Sequence, residues 1–186
     1  MRRARIAGLA ALATAAALVA TRLPADAAHE RQFFSSRAGV GVEAPPGWTL
    51  SLHTGYPKIL CLLLHPGGSR ISLAVDDAVT AADATALVDQ TRPALAAQGL
   101  EVTGIAAGAR GGVQVDARAP RRDQQLRQIY LVRAVPWGKQ AIVLTLTTSP
   151  AAAAAAFGSL EWVAAHLDLQ RPARAEDKRT PPDGGV

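Results

Sequence analysis

Residues 125–148 read QLRQIYLVRAVPWGKQAIVLTLTT. From Gln125 to Val135, Ile129, Leu131 and Val135 fall on one side of a period-two pattern. Gln128, Tyr130 and Val132 fall on the other. Pro136-Trp137-Gly138-Lys139 interrupts the pattern as a turn. It resumes from Gln140 to Thr148, with Ile142, Leu144 and Leu146 opposite Val143, Thr145 and Thr147. Two β-patterned runs joined by a short turn make a hairpin, and hairpin strands run antiparallel.

The same signal extends upstream. Leu100 to Ile105 reads as a strand, Gly111-Gly112 turns the chain, and Val113 to Ala117 alternates Val113, Val115 and Ala117 with Gln114 and Asp116. Thr80 to Gln98 changes to helical spacing, with Ala84, Leu87, Val88, Thr91 and Leu95 on one side. Thr80 reads as its N-cap with Asp83 three residues on, Pro93 as a kink or restart, and Gly99 as its stop. Lys58 to His65 is apolar on both faces, which predicts a strand covered on both sides. His65-Pro66-Gly67-Gly68 turns it into Arg70 to Val75. Nearer the start, Phe33 to Ser36, Val40 to Glu43 and Trp48 to Leu52 read as short strands, with Pro45-Pro46-Gly47-Trp48 as a turn. At the other end, Ser149-Pro150 opens a helix with proline in the favoured first turn. Phe157, Leu160, Val163, Ala164 and Leu167 form its stripe. The expected class is α+β: an antiparallel sheet of about six to seven strands flanked by two main helices.

The ends differ in composition. Arg2, Arg3 and Arg5 precede the uncharged run Ile6 to Ala20, and Ala25-Asp26-Ala27 follows as a small-x-small site. This is the shape of a Sec-type signal peptide over residues 1–27. The apolar run is short of the roughly 20 residues a membrane-spanning helix needs. Residues 28–169 then form one domain. Residues 170–186 lose periodicity, end in Pro181-Pro182-Asp183-Gly184-Gly185 and read as a disordered tail.

The whole chain of 186 residues has 20 Lys and Arg, 15 Asp and Glu, a net charge of +5 and a mean hydropathy of +0.11. Four of those basic and one of those acidic residues lie within 1–27, which leaves 16 and 14, a net charge of +2. Much of the basicity belongs to the leader, so the domain gives no charge argument for nucleic acid. Aromatics are 4% of the chain, and no aromatic interleaving with basic residues suits nucleic-acid stacking. The single cysteine, Cys61, excludes an internal disulfide. Its apolar neighbours make it a core residue rather than a reactive thiol.

The order of elements, with Ala44-Pro45-Pro46-Gly47-Trp48, Gln128-Ile129-Tyr130, Ala141-Ile142-Val143-Leu144-Thr145 and Phe157-Gly158-Ser159-Leu160, resembles the PsbP-like superfamily, including the bacterial DcrB-like envelope proteins. The resemblance covers most of residues 33–169. It implies an antiparallel sheet flanked by helices and largely non-catalytic roles: envelope proteins, assembly factors and chaperone-like binding modules. It brings no catalytic set.

Candidate chemistry is sparse. His29, His53, His65 and His166 lack paired metal-ligand spacing. A site assembled from His53, His65 and Asp76 or Asp77 is the metal alternative, against Asp76-Asp77 as a loop pair near a helix start. Asp116 reads as half of a cross-strand ion pair on a solvated face. Ser35, Ser36 and Ser149 stand in strand-end or cap positions, and Gly-x-Ser-x-Gly is absent. Gly39-x-Gly41 lacks the rest of a dinucleotide fingerprint. Arg121, Arg122 and Arg127 form a small basic cluster that could meet an acidic partner or a lipid headgroup, weighed against a solvated hairpin end. Phe33, Phe34, Trp48, Tyr56, Trp137 and Trp162 could rim a groove, weighed against core filling.

The expectation is therefore an exported, non-enzymatic envelope protein, periplasmic or extracellular. It would be a binding or chaperone-like adaptor for an envelope protein partner, with no catalytic residues, metal or cofactor, and no stable span once the signal is removed. The alternatives are a small apolar-ligand or lipid carrier, with a cavity lined by Leu60–Leu64 and a helix, and a hydrolase with His and Asp or Glu converging on a serine.

Overall fold

The period-two pattern of 125–148 becomes the centre of the molecule. The computed structural model describes residues 31–52, 58–77 and 79–172. Strands β1 (Gln32–Ser35) and β2 (Val40–Glu43) form a hairpin, followed by β3 (Thr49–Ser51), β4 (Ile59–Leu64) and β5 (Arg70–Asp76). Helix α1 (Ala84–Ala97) leads to β6 (Glu101–Ala107), β7 (Val113–Ala119), β8 (Gln124–Val135) and β9 (Gly138–Thr148). Helix α2 (Ala153–Ala165) and β10 (Asp168–Leu169) follow. Among the described residues the main sheet has seven strands in the order β3-β4-β5-β9-β8-β7-β6, and all neighbours are antiparallel. A small sheet has the order β1-β2-β10. The α+β class is as the sequence predicts.

Successive side chains of a strand point to opposite faces, so each central strand feeds two cores. Ile71, Leu73, Ile129, Leu131, Ile142, Leu144 and Leu146 pack on one face, against Leu160, Val163 and Ala164 of α2 and Val40 and Val42 of the small sheet. Val115, Tyr130 and Ala141 pack on the other, against Ala84, Leu87, Val88 and Leu95 of α1. The main sheet is thus a middle layer. The 14 residues of α1 reach roughly 21 Å at 1.5 Å per residue. Among the described residues the helix packs mainly on β6, β7 and β8.

That placement corrects the reading of β4 as covered on both sides. Cys61 and Leu63 are buried in the core on the α2 side of the sheet, whereas Leu62 is half-buried and Leu64 is exposed. Helix α1 starts later than the pattern suggests. Its cap is Asp83, whose carboxylate accepts from the Ala86 N–H at 2.9 Å, and not Thr80. Pro93 sits inside one continuous helix. At the helix end, Leu100 N–H donates to Leu95 O and Gly99 N–H to Ala96 O, with Gly99 at φ +76°. This is a Schellman close, and a glycine adopts the left-handed position without a Cβ penalty.

The chain end also departs from the sequence reading. Helix α2 stops at Ala165, and Arg110 donates to the carbonyls of Ala165 (3.1 Å) and Leu167 (3.0 Å) beyond it. Asp168–Leu169 then pairs with β2. Gln170 N–H then donates to Gly39 O at 2.9 Å. The expected signal peptide over 1–27 and residues 173–186 of the expected tail lie outside the described residues.

Candidate functional site: a basic groove at the open end of the sheet

Among the described residues, the helix-covered face of the sheet lies open beyond the last turn of α1. Gln124, Leu126 and Gln128 of β8 and Thr145 and Thr147 of β9 floor a groove of about 350 Å³ there. Leu95, Gln98 and Leu100 line it from the helix end, Arg70 from the start of β5, and Ala119 and Arg122 from the β7–β8 turn. A second concavity of about 600 Å³ is lined by 96–101 and 119–122, and shares Gln98, Leu100, Ala119 and Arg122 with the first.

The register fixes the floor. Arg70 lies opposite Thr147, and Thr147 opposite Leu126. Ile71 points into the α2-side core, so Arg70 projects to the groove side. Hydrogen bonds hold the floor rigid. The Tyr130 hydroxyl donates to Gln128 Oε1 at 2.7 Å, and Gln128 Nε2 donates to Thr145 Oγ1 at 3.0 Å. Burial pushes the Tyr130 hydroxyl above its ordinary pKa, against a hydrogen bond with Thr91 that lowers it. Having accepted from Gln128, the Thr145 hydroxyl keeps its own hydrogen to donate.

The charges around the groove are one-sided. Among the described residues the side chains of Arg70, Arg121 and Arg122 make no ion pair or hydrogen bond. Glu101 lines the larger concavity, but its carboxylate is held by Arg118 at 2.6 Å. The smaller groove has no carboxylate, imidazole or thiol in its lining. It offers guanidinium, amide and hydroxyl groups beside leucine side chains.

The sequence singled out Arg121, Arg122 and Arg127 together, and the structure separates them. Arg127 lies on the α2 side, in an ion pair with Asp116 at 2.7 Å and another with Glu161 at 2.7 Å. Its guanidinium carbon is 3.8 Å from the Phe157 ring centroid. Asp116 and Arg127 are cross-strand partners as expected. Their face is not solvated, however: the Arg127 side chain is only 14% exposed. Arg70 escaped the sequence reading because β5 joins β9 only in the folded chain.

The other candidates do not converge. His29 and His53 lie outside the described residues, as does Tyr56. His65 packs beside Trp48, ring centroids 5.3 Å apart, and its Nδ1 accepts from Gly67 N–H. Asp76 pairs with Lys58 at 2.6 Å, and Asp77 accepts from Gln140. His65 and Asp76 thus stand at opposite ends of the β4–β5 hairpin, roughly 20 Å apart at 3.3 Å per residue. No three metal-ligating side chains cluster among the described residues. His166 stacks on Trp162 at the end of α2. Ser35 Oγ accepts from Ala38 N–H, and Ser149 precedes a short 3-10 turn. Trp48 is buried and donates to Ser159 Oγ, Phe33 and Trp162 pack on the core, and Phe34 and Trp137 are exposed. None of these aromatics rims the groove. Leu60–Leu64, foreseen as lining for an apolar carrier, lines neither of these two concavities. Burial pushes the Cys61 thiol up to about 12, as suits a core residue.

No helix among the described residues is long and apolar enough to cross a membrane. No protein-family model matches the chain, and no curated protein is detectably similar to it in sequence. Solved structures share its shape. LpqN of Mycobacterium tuberculosis, described as involved in cell envelope biogenesis, superposes with a TM-score of 0.52 at 13% identity, over 70% of this chain and 83% of that one. A variant of Mog1 gives 0.47 at 11% identity, over 73% and 86%. A Bacteroides thetaiotaomicron protein gives 0.41 at 15% identity, over 81% and 51%. At these identities the likeness to LpqN is one of fold.

Proposed function

We propose that the chain is an exported, non-enzymatic binding module of the cell envelope, of PsbP-like kind, serving as an adaptor or chaperone-like partner for another envelope component. The observation that carries this reading is the groove at the open end of the sheet. Its floor is a rigid sheet layer, and its lining has hydrogen-bond donors and leucine surface without an acid, base or activated nucleophile. Such a lining supports the recognition of a molecule. The envelope role described for LpqN supports the compartment, as does the leader-like sequence of residues 1–27.

Cell fractionation of the source organism combined with site-specific photocrosslinking tests this. A photoreactive residue at Gln98, in the groove, should capture one envelope component. The same probe at Arg92, on the exposed side of α1, should not. Recovery of the chain in the cytosol, or equal capture from both positions, overturns the reading.

A further inference from the structure

We infer that the groove is a binding site for a phosphate-bearing ligand, with the phosphate between Arg70 and Arg122 and an apolar portion against Leu95, Leu100 and Leu126. This rests on the reading of the chain as a binding module and names the chemistry of its ligand. Arg70 stands across β9 from Leu126, about two strand spacings or 10 Å away in Cα position. Arg122 rises from the 3-10 turn beyond β7. Both residues line the one groove.

Several features favour a phosphate. An arginine fork matches phosphate oxygens in a bidentate way, and a tetrahedral oxyanion offers acceptors to donors on both walls and the floor at once. Thr145 and Thr147 supply hydroxyls below, and Arg121 adds positive charge at the rim of the adjoining concavity. Carboxylates that could quench this field are held elsewhere: Glu101 by Arg118, and Asp116 by Arg127. Asp123 follows Arg122 but lies outside the lining. The carbonyls of Ala94, Leu95 and Ala96 at the end of α1 accept from the backbone N–H groups that close it. The volume of about 350 Å³ is in the range of small-molecule sites, roughly 300–1,000 Å³.

Two sources share this chemistry: a soluble phosphate ester and the headgroup of an anionic phospholipid. The test uses the full chain, with glycerol phosphate in calorimetric titration and vesicles of phosphatidylglycerol or phosphatidylcholine in flotation. The comparison is between the parent chain, the double variant Arg70→Gln/Arg122→Gln and the control Arg92→Gln. Arg70 and Arg122 are exposed and make no contact that would unfold the domain when lost, and circular dichroism checks this. The single variant Arg122→Gln provides a second, milder reading.

Binding of glycerol phosphate that weakens about tenfold or more in the double variant supports a soluble ester. Selective flotation with phosphatidylglycerol that the double variant loses supports a lipid headgroup. In either case Arg92→Gln should behave as the parent, and added salt should weaken binding. Absence of binding in both arms, or equal binding by parent and double variant, overturns the inference. Crosslinking from Gln98 to an envelope component would still uphold the binding-module reading, so the two failures are distinguishable.

Discussion

Arg133 clasps the small sheet to the large one, and its removal gives a measurable forecast. Its Nε donates to Gln140 Oε1 at 2.7 Å, Nη2 to Ala38 O at 2.7 Å and Gly39 O at 3.0 Å, and Nη1 to Gln170 O at 2.9 Å. Gln140 is fully buried, and its Nε2 donates to Ala38 O and Asp77 Oδ1. Burial lowers the Arg133 pKa, and the Asp77 charge pulls it back up. Arg133→Met keeps the aliphatic stem but removes every donor. Ala38 O then retains Gln140, and Gly39 O retains Gln170 N–H. Gln140 Oε1, however, is left in a dry site without its donor. An orphaned buried acceptor costs about 1–3 kcal/mol, and the lost charged bonds to the loop carbonyls bring the total to about 2–4 kcal/mol. Urea unfolding followed by tryptophan fluorescence measures this directly. In a cycle with Gln140→Leu the two losses should not add, because Gln140 Oε1 is stranded only while Gln140 remains, and Ala38 O is stranded only when both its donors are gone. A change within about 0.5 kcal/mol of the parent for Arg133→Met, or strict additivity in the cycle, refutes the clasp.

Further outcomes follow from single positions. Gly39 has φ +62°, and an added Cβ would stand 2.5 Å from Gln170 O, so Gly39→Ala should cost about 1–3 kcal/mol in the same assay. Asp83→Ala should lower stability by about 1 kcal/mol through loss of the helix cap, while Thr80→Ala leaves it nearly unchanged; the reverse result would restore Thr80 as the cap. Cys61 should resist a thiol reagent at pH 8 until the chain unfolds. With the thiol raised by burial from 9.0 to about 12, the folded state holds the proton more tightly than the unfolded state. Its contribution is complete below pH 9 and is lost as pH rises from 9 towards about 12. A flat stability profile across that window in a Cys61→Ser comparison would refute this.

Particular residues show how much of the site was legible beforehand. Arg122 was visible as part of a basic cluster, because it stands one residue from Arg121. Arg70 was not, since its groove neighbours Thr147 and Leu126 are distant in sequence. Arg127 was grouped with the wrong partners for the same reason: nearness along a strand says nothing about the face, and Arg127 turns to α2. Asp116 was read correctly as a cross-strand partner because a short β7–β8 turn fixes the register locally. The residue before a helix is harder to place. Thr80 and Asp83 both suit a cap, and the pairing of Asp83 with the Ala86 N–H decides between them.

By itself the sequence determined the kinds of element and most of their order: the hairpins of β4–β5 and β7–β9, the two helices, and the burial of Cys61. Each follows from periodicity or turn chemistry acting over a few residues. The tertiary structure decided what joins distant segments: β5 pairing with β9 to unite the two halves of the sheet, β10 joining β2, and α1 packing mainly on β6, β7 and β8. These depend on contacts such as that of Gln140 with Ala38, 102 residues apart. Such contacts are paid for in chain entropy and repaid only when the whole core forms. The groove with Arg70 and Arg122 exists only as a result of that closure.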